Sequence, residues 1–129
     1  MRLIQSLNPL KDHDLGMIFL MFLSWKLIIW LGYLWSLKIP LASHNFLGGG
    51  LKNYLTNQSI FAWANFDGEH YLAISQIGYQ GLEQAFFPVY PLLIHIFSSP
   101  FGNNFYASVV SGLVISNVSI VLALILLYR

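Results

Sequence analysis

Residues 61–93, FAWANFDGEHYLAISQIGYQGLEQAFFPVYPLL, hold three of the chain's five acidic residues, Asp67, Glu69 and Glu83, inside a strongly apolar sequence. Asp67, His70 and Tyr71 recur at spacings of three and four, so a helix would present a carboxylate, an imidazole and a phenol on one face. A carboxylate so placed can take a proton from a polar substrate. The same letters also suit a helix start: Asp67 precedes the helical stretch, Glu69 falls in its first turn and Gly78 closes it, as for an N-capping residue. The two readings are compatible, and spacing alone leaves both open. His70 reads either as a cation near a phosphate or as a surface helix residue, Glu83 as an exposed loop acid, and His95 as an interfacial imidazole. No metal site is expected, because a metal needs three or four ligands while Asp67, Glu69 and His70 lie on different faces of one turn.

The elements that must position these residues follow from periodicity. Over residues 59–79, Ile60, Phe61, Trp63 and Ala64 precede Asp67, His70, Tyr71, Ile74 and Ile77 at three and four spacing. This predicts an amphipathic helix along a membrane surface, divided at Gly68 and stopped at Gly78. Residues 85–97, AFFPVYPLLIHIF, are apolar but too few to span and are interrupted by Pro88 and Pro91, which predicts an interfacial or re-entrant segment. Phe86, Phe87 and Tyr90 suit the headgroup level. LGGG at 47–50 lacks the Lys-Ser/Thr of a phosphate loop and reads as a flexible loop or a mere linker.

Composition sets the class. Of 129 residues, 57% are hydrophobic and only 9% charged, with mean hydropathy +0.64, against about 25% charged in an ordinary soluble domain. An integral membrane protein is expected. A net charge of +1 without a Lys/Arg cluster speaks against nucleic acid, and the absence of cysteine excludes disulfides and thiol chemistry. Residues 15–37 and 105–128 are each long enough to cross a hydrocarbon core of about 30 Å. The first holds one charge, Lys26, whose cost of about 2.5–3.5 kcal/mol its many Leu, Ile and Phe residues offset. Lys26 is expected to face protein rather than lipid. The first span exceeds a signal-peptide core and has no small-x-small cleavage site, so it reads as a retained anchor. In the second span Ser108, Gly112, Ser116 and Ser119 form a small-residue face that expects a neighbouring helix. The predicted architecture is all-α: a polar tail at 1–14, a span at 15–37, a loop at 38–104 with interfacial helices, and a span at 105–128. Arg2, Lys11 and Arg129 at the flanks against Lys38 and Lys52 in the loop favour cytoplasmic termini and an extracytoplasmic or lumenal loop.

FDGEHYLAISQIGY followed by AFFPVYPLLI resembles the PIG-V family of GPI mannosyltransferases and its prokaryotic relatives, integral-membrane glycosyltransferases of the GT-C class. The family pattern is approximately Trp-Asp-x-x-x-Tyr-x-x-Ile-x-x-x-Gly-Tyr, then Ala-Phe-Phe-Pro-x-Tyr-Pro. Asp67, Tyr71, Ile74, Gly78, Tyr79, Ala85, Phe86, Phe87, Pro88, Tyr90 and Pro91 match it, whereas Phe66 replaces the usual Trp and Asn65 a frequent basic residue. The closing ISNVSIVLALILLYR also looks like the family's next membrane helix. The resemblance implies transfer of a sugar, mannose in the family, from a polyprenyl-phosphate carrier such as dolichyl-phosphate mannose to an acceptor hydroxyl, with inversion and without a cofactor. Asp67 would be the general base, and Glu69, His70, Tyr71, Tyr79, Phe87 and Tyr90 would contact substrate. It further implies the cytoplasmic membrane of a prokaryote or the endoplasmic reticulum membrane of a eukaryote. Family members carry many more spans, so the chain is expected to be an N-terminal portion completed by a C-terminal membrane part, or half of a split enzyme. The competing expectation is a noncatalytic membrane-anchored subunit that binds a partner through the small-residue face.

Overall fold

The computed structural model describes residues 12–39 and 47–128. The tail residues 1–11 and Arg129, whose charges enter the orientation argument, and the loop residues 40–46 lie outside the described residues. All regular structure among the described residues is helical. In chain order the α-helices are α1 (Asp12–Ser36), α2 (Gly50–Thr56), α3 (Gln58–Phe61), α4 (Asp67–Ile77), α5 (Val89–Ser98) and α6 (Phe105–Tyr128), with short 3-10 turns at Ala62–Ala64, Gly81–Ala85 and Ser99–Phe101. Two of them, His13–Ser36 within α1 and Phe105–Tyr128, are long and apolar enough to cross a membrane. Contacts divide the described residues into two units, residues 12–39 with 117–128, and residues 47–116.

In the first unit α1 is apolar all round and leaves Phe19, Leu20, Trp25, Ile28 and Trp35 more than half exposed, as suits a helix solvated by lipid. Ile18, Phe22, Lys26, Ile29 and Tyr33, at helical spacing, form its shielded side.

In the second unit the core joins Leu47, Tyr54, Phe61, Ala64, Leu72, Ile94 and Val109. Phe61 stacks on Phe105 with centroids 5.7 Å apart, tying α3 to the start of α6. That start is set by Asn104, whose side-chain oxygen accepts the Ala107 N–H at 2.9 Å. The small-residue face of α6 has its neighbour inside the chain: Ser108 and Gly112 are buried, and Gly112 lies against Tyr90 and Ile94 of α5. Ser119, by contrast, is exposed.

Three expectations are corrected. LGGG is a packed joint, not a linker: Leu47 is buried, Gly49 (φ +74) precedes α2, and Gly48 lies against the Ala64 backbone. A Cβ at Gly48 would collide with the Ala64 carbonyl, so Gly48→Ala is expected to cost about 1–3 kcal/mol, read as a lower melting temperature in detergent. Gly16→Ala, with open space around the site on α1, should not lower it. Pro88 and Pro91 start a helix instead of interrupting one. Pro88 precedes α5 and its carbonyl accepts the Leu92 N–H, while Pro91 sits in the first turn, where the missing N–H would have had no intrahelical partner. Finally, the break in the 59–79 pattern falls at Asn65 and Phe66, not at Gly68, which lies in the first turn of α4. Gly78 does end α4, with φ +78 and its N–H donating to the Ile74 carbonyl.

Candidate functional site

The site is built around the start of α4. Asn65 is extended, and its side-chain oxygen accepts the Gly48 N–H at 3.1 Å, which holds the chain out of the preceding helical turn. Phe66 then takes φ +56 and ψ −123, a conformation costly for any residue with a side chain, although its ring is 70% exposed. Its carbonyl accepts the Glu69 N–H and the Asn65 carbonyl the Gly68 N–H, so the kink is locked from both sides. Asp67 is therefore the first residue of α4, not its cap: the capping position is Phe66 and no side chain caps the helix. The Asp67 carboxylate is exposed, and with Glu69 it lies where the helix dipole favours negative charge.

Behind Asp67, α4 meets the segment that leads into α5. The His70 ring stacks on Phe86 at 5.0 Å, and Tyr71 sits edge-on to both Phe86 (5.1 Å) and Tyr90 (5.0 Å). Tyr90 donates to the Gly112 carbonyl at 3.1 Å and lies 2.9 Å from the Ser116 hydroxyl, which fixes the cluster to α6. Glu83 is not the exposed loop acid its sequence context suggests, for its side chain is only 14% exposed. One oxygen stands 3.4 Å from His70 Nδ1, and the other accepts the Gln80 N–H at 2.9 Å, closing a capping box on the Gly81–Ala85 turn. A carboxylate only accepts, so this contact assigns the proton to Nδ1 and leaves Nε2 as the second polar atom of the ring.

Of the residues expected to contact substrate, His70, Tyr71 and Tyr90 thus belong to one aromatic cluster. Tyr79 stands beside it, its hydroxyl donating to the Phe86 carbonyl at 3.0 Å. Phe87 is 76% exposed and takes no part in the ring contacts of Phe86. Glu69 is half-buried, and its Oε2 is buried without a hydrogen-bond partner among the described residues. A carboxylate oxygen in that state calls for a donor. Sequence reasoning missed Phe86 and Glu83 as site members; the first lay inside the second motif, and the second was signalled by Gln80-x-x-Glu83, a capping-box spacing.

Behind the cluster, Trp63, Gly68, Tyr71, Tyr90, Ile94 and Gly112 line a cavity of about 30 Å³, room for a water molecule. Towards the C-terminal end of α4, a groove of about 380 Å³ runs between Ile74, Tyr79, Pro88, Pro91, Leu92 and His95. His95 is oriented by Nδ1–H donation to the Ser75 carbonyl at 2.7 Å, so it bridges α4 and α5. No group of three or more His, Asp or Glu side chains close enough to hold a metal ion occurs among the described residues.

No family model, curated protein or solved structure matches the chain.

Proposed function

We propose that the chain carries the donor- and acceptor-facing part of a GT-C-type membrane glycosyltransferase, which moves a sugar, mannose by the sequence resemblance, from a polyprenyl-phosphate carrier to an acceptor hydroxyl. The observation that carries this reading is Asp67: an exposed carboxylate held at the start of a helix by a strained, non-glycine joint at Phe66. Strain of this kind needs a reason, and presenting a base is one. In the proposed step the acceptor hydroxyl gives its proton to Asp67 and its oxygen attacks the anomeric carbon. The bond from that carbon to the phosphate oxygen breaks, polyprenyl phosphate leaves with the electron pair, and the configuration inverts.

His70 and Glu69 lie in the same turn as the base, and the part-exposed His70 ring offers a polar contact to a polyhydroxylated substrate. The exposed Phe87 supplies an apolar contact suited to lipid. A lipid-linked donor presents its head group at the membrane surface, which suits a location in the cytoplasmic or endoplasmic reticulum membrane with residues 38–104 on the extracytoplasmic or lumenal side. The alternative of a noncatalytic subunit loses much of its motive, since Ser108, Gly112 and Ser116 already face α5.

The test is transfer itself. Membranes containing the chain together with the membrane part that completes it, incubated with radiolabelled polyprenyl-phosphate mannose and glycolipid acceptors, are expected to yield labelled product of inverted anomeric configuration. No label above membranes lacking the chain, with mannose and glucose carriers alike, would overturn the reading.

A further inference from the structure

Lys26 is the one charge inside the long apolar stretch of α1. Ser36, the nearer end of α1, is ten residues away, about 15 Å along the axis, farther than a lysine stem can reach. Asp12 and Asp14 are at least twelve residues away on the same helix, about 18 Å, and no carboxylate lies within ion-pair distance of Lys26 among the described residues. Its ammonium instead sits 5.5 Å from the centre of the Phe22 ring, one turn earlier on the same side of the helix. Phe22 in turn lines an open apolar cleft of about 270 Å³, together with Leu15, Ile18 and Phe19 of α1 and Val121 and Ile125 of α6. A cation near mid-span, one turn beyond an apolar cleft whose Phe22 it contacts, is a pair of features that one occupant satisfies.

We propose that this cleft receives a third transmembrane helix from a partner, whose apolar side chains fill it and whose carboxylate pairs with Lys26. A lipid phosphate is confined to the interface and lies beyond the reach of Lys26. A second copy of the chain brings no carboxylate to mid-span in either of its long helices. Intramembrane charges are costly and are retained where they pair, so charge complementarity identifies the partner. The proposal is independent of the transferase reading, because it concerns helix assembly and not the residues around Asp67.

The test uses the full chain, fluorescently labelled, in phosphatidylcholine vesicles with a synthetic Leu/Ala membrane-spanning helix bearing one central Glu, or Gln at the same place. Energy transfer is expected to report roughly tenfold tighter association with the Glu helix. That preference should vanish in Lys26→Met and survive in Lys26→Arg. Val121→Trp, which fills the cleft and leaves Lys26 intact, should weaken binding of the Glu helix. Equal binding of the two probes overturns the proposal, as does undiminished binding to Val121→Trp. Self-association of the chain that is lost in Lys26→Met also overturns it, in favour of a second copy.

Discussion

Asp67→Asn is expected to lower sugar transfer by about 10²–10⁴-fold, the usual contribution of a positioned general base. The amide keeps the shape of the carboxylate but cannot accept the acceptor's proton. Since Asp67 makes no capping hydrogen bond, its replacement leaves the hydrogen bonds that start α4 intact, and those come from the backbone at Asn65 and Phe66. The loss should therefore fall on kcat, with the helical circular dichroism and the melting temperature nearly unchanged. Because the carboxylate is exposed, the lost dipole interaction is at the low end of its range, about 0.3 kcal/mol. Full transfer activity in the variant would remove Asp67 as the base, and a large drop in melting temperature would assign it a structural role instead.

The largest stability effect is expected at Ile94. Its side chain is 1% exposed, it belongs to the core with Leu72 and Val109, and its Cδ1 lies only 3.3 Å from where a Cβ on Gly112 would stand. Ile94 also lines the small cavity behind Tyr71 and Tyr90, so truncation would enlarge a void that the neighbouring helices cannot readily close. Ile94→Ala should cost about 2–5 kcal/mol, measured as the shift in denaturation midpoint in detergent. Ile96→Ala, at a residue of the same helix that is 51% exposed, is the control and should shift it far less. Equal shifts would mean that α5 does not pack against α6 through this face. Loss of that packing should also loosen Tyr90, whose hydroxyl reaches Gly112 and Ser116, and with it the ring contacts of Tyr71.

The elements that could be read from the letters are those governed by local or compositional rules. The long helices were expected at 15–37 and 105–128 and run Asp12–Ser36 and Phe105–Tyr128, because unbroken apolar length dominates there and few polar residues compete. The stop at Gly78 was legible because a left-handed residue after a helix favours glycine whatever surrounds it. The small-residue face of α6 announced a close neighbour, although not which one. Pro88 and Pro91 misled because proline breaks a helix only in its interior, and the letters do not say where a helix begins.

The candidate site divides in the same way. The sequence by itself determined that the chain is helical and apolar enough to span, and that Asp67, His70 and Tyr71 share one short stretch, since both follow from composition and from spacings within a few residues. Only the tertiary structure decided that Phe66 would take a left-handed backbone, because that depends on Asn65 reaching Gly48, 17 residues away in the chain. It also decided that Glu83 would turn inward to His70 across 13 residues, that Phe86 and not Phe87 would receive the His70 and Tyr71 rings, and that Glu69 would hide one oxygen. Periodicity reports the face on which a residue lies, whereas its partners depend on how faces distant in the chain meet, and that is settled by packing.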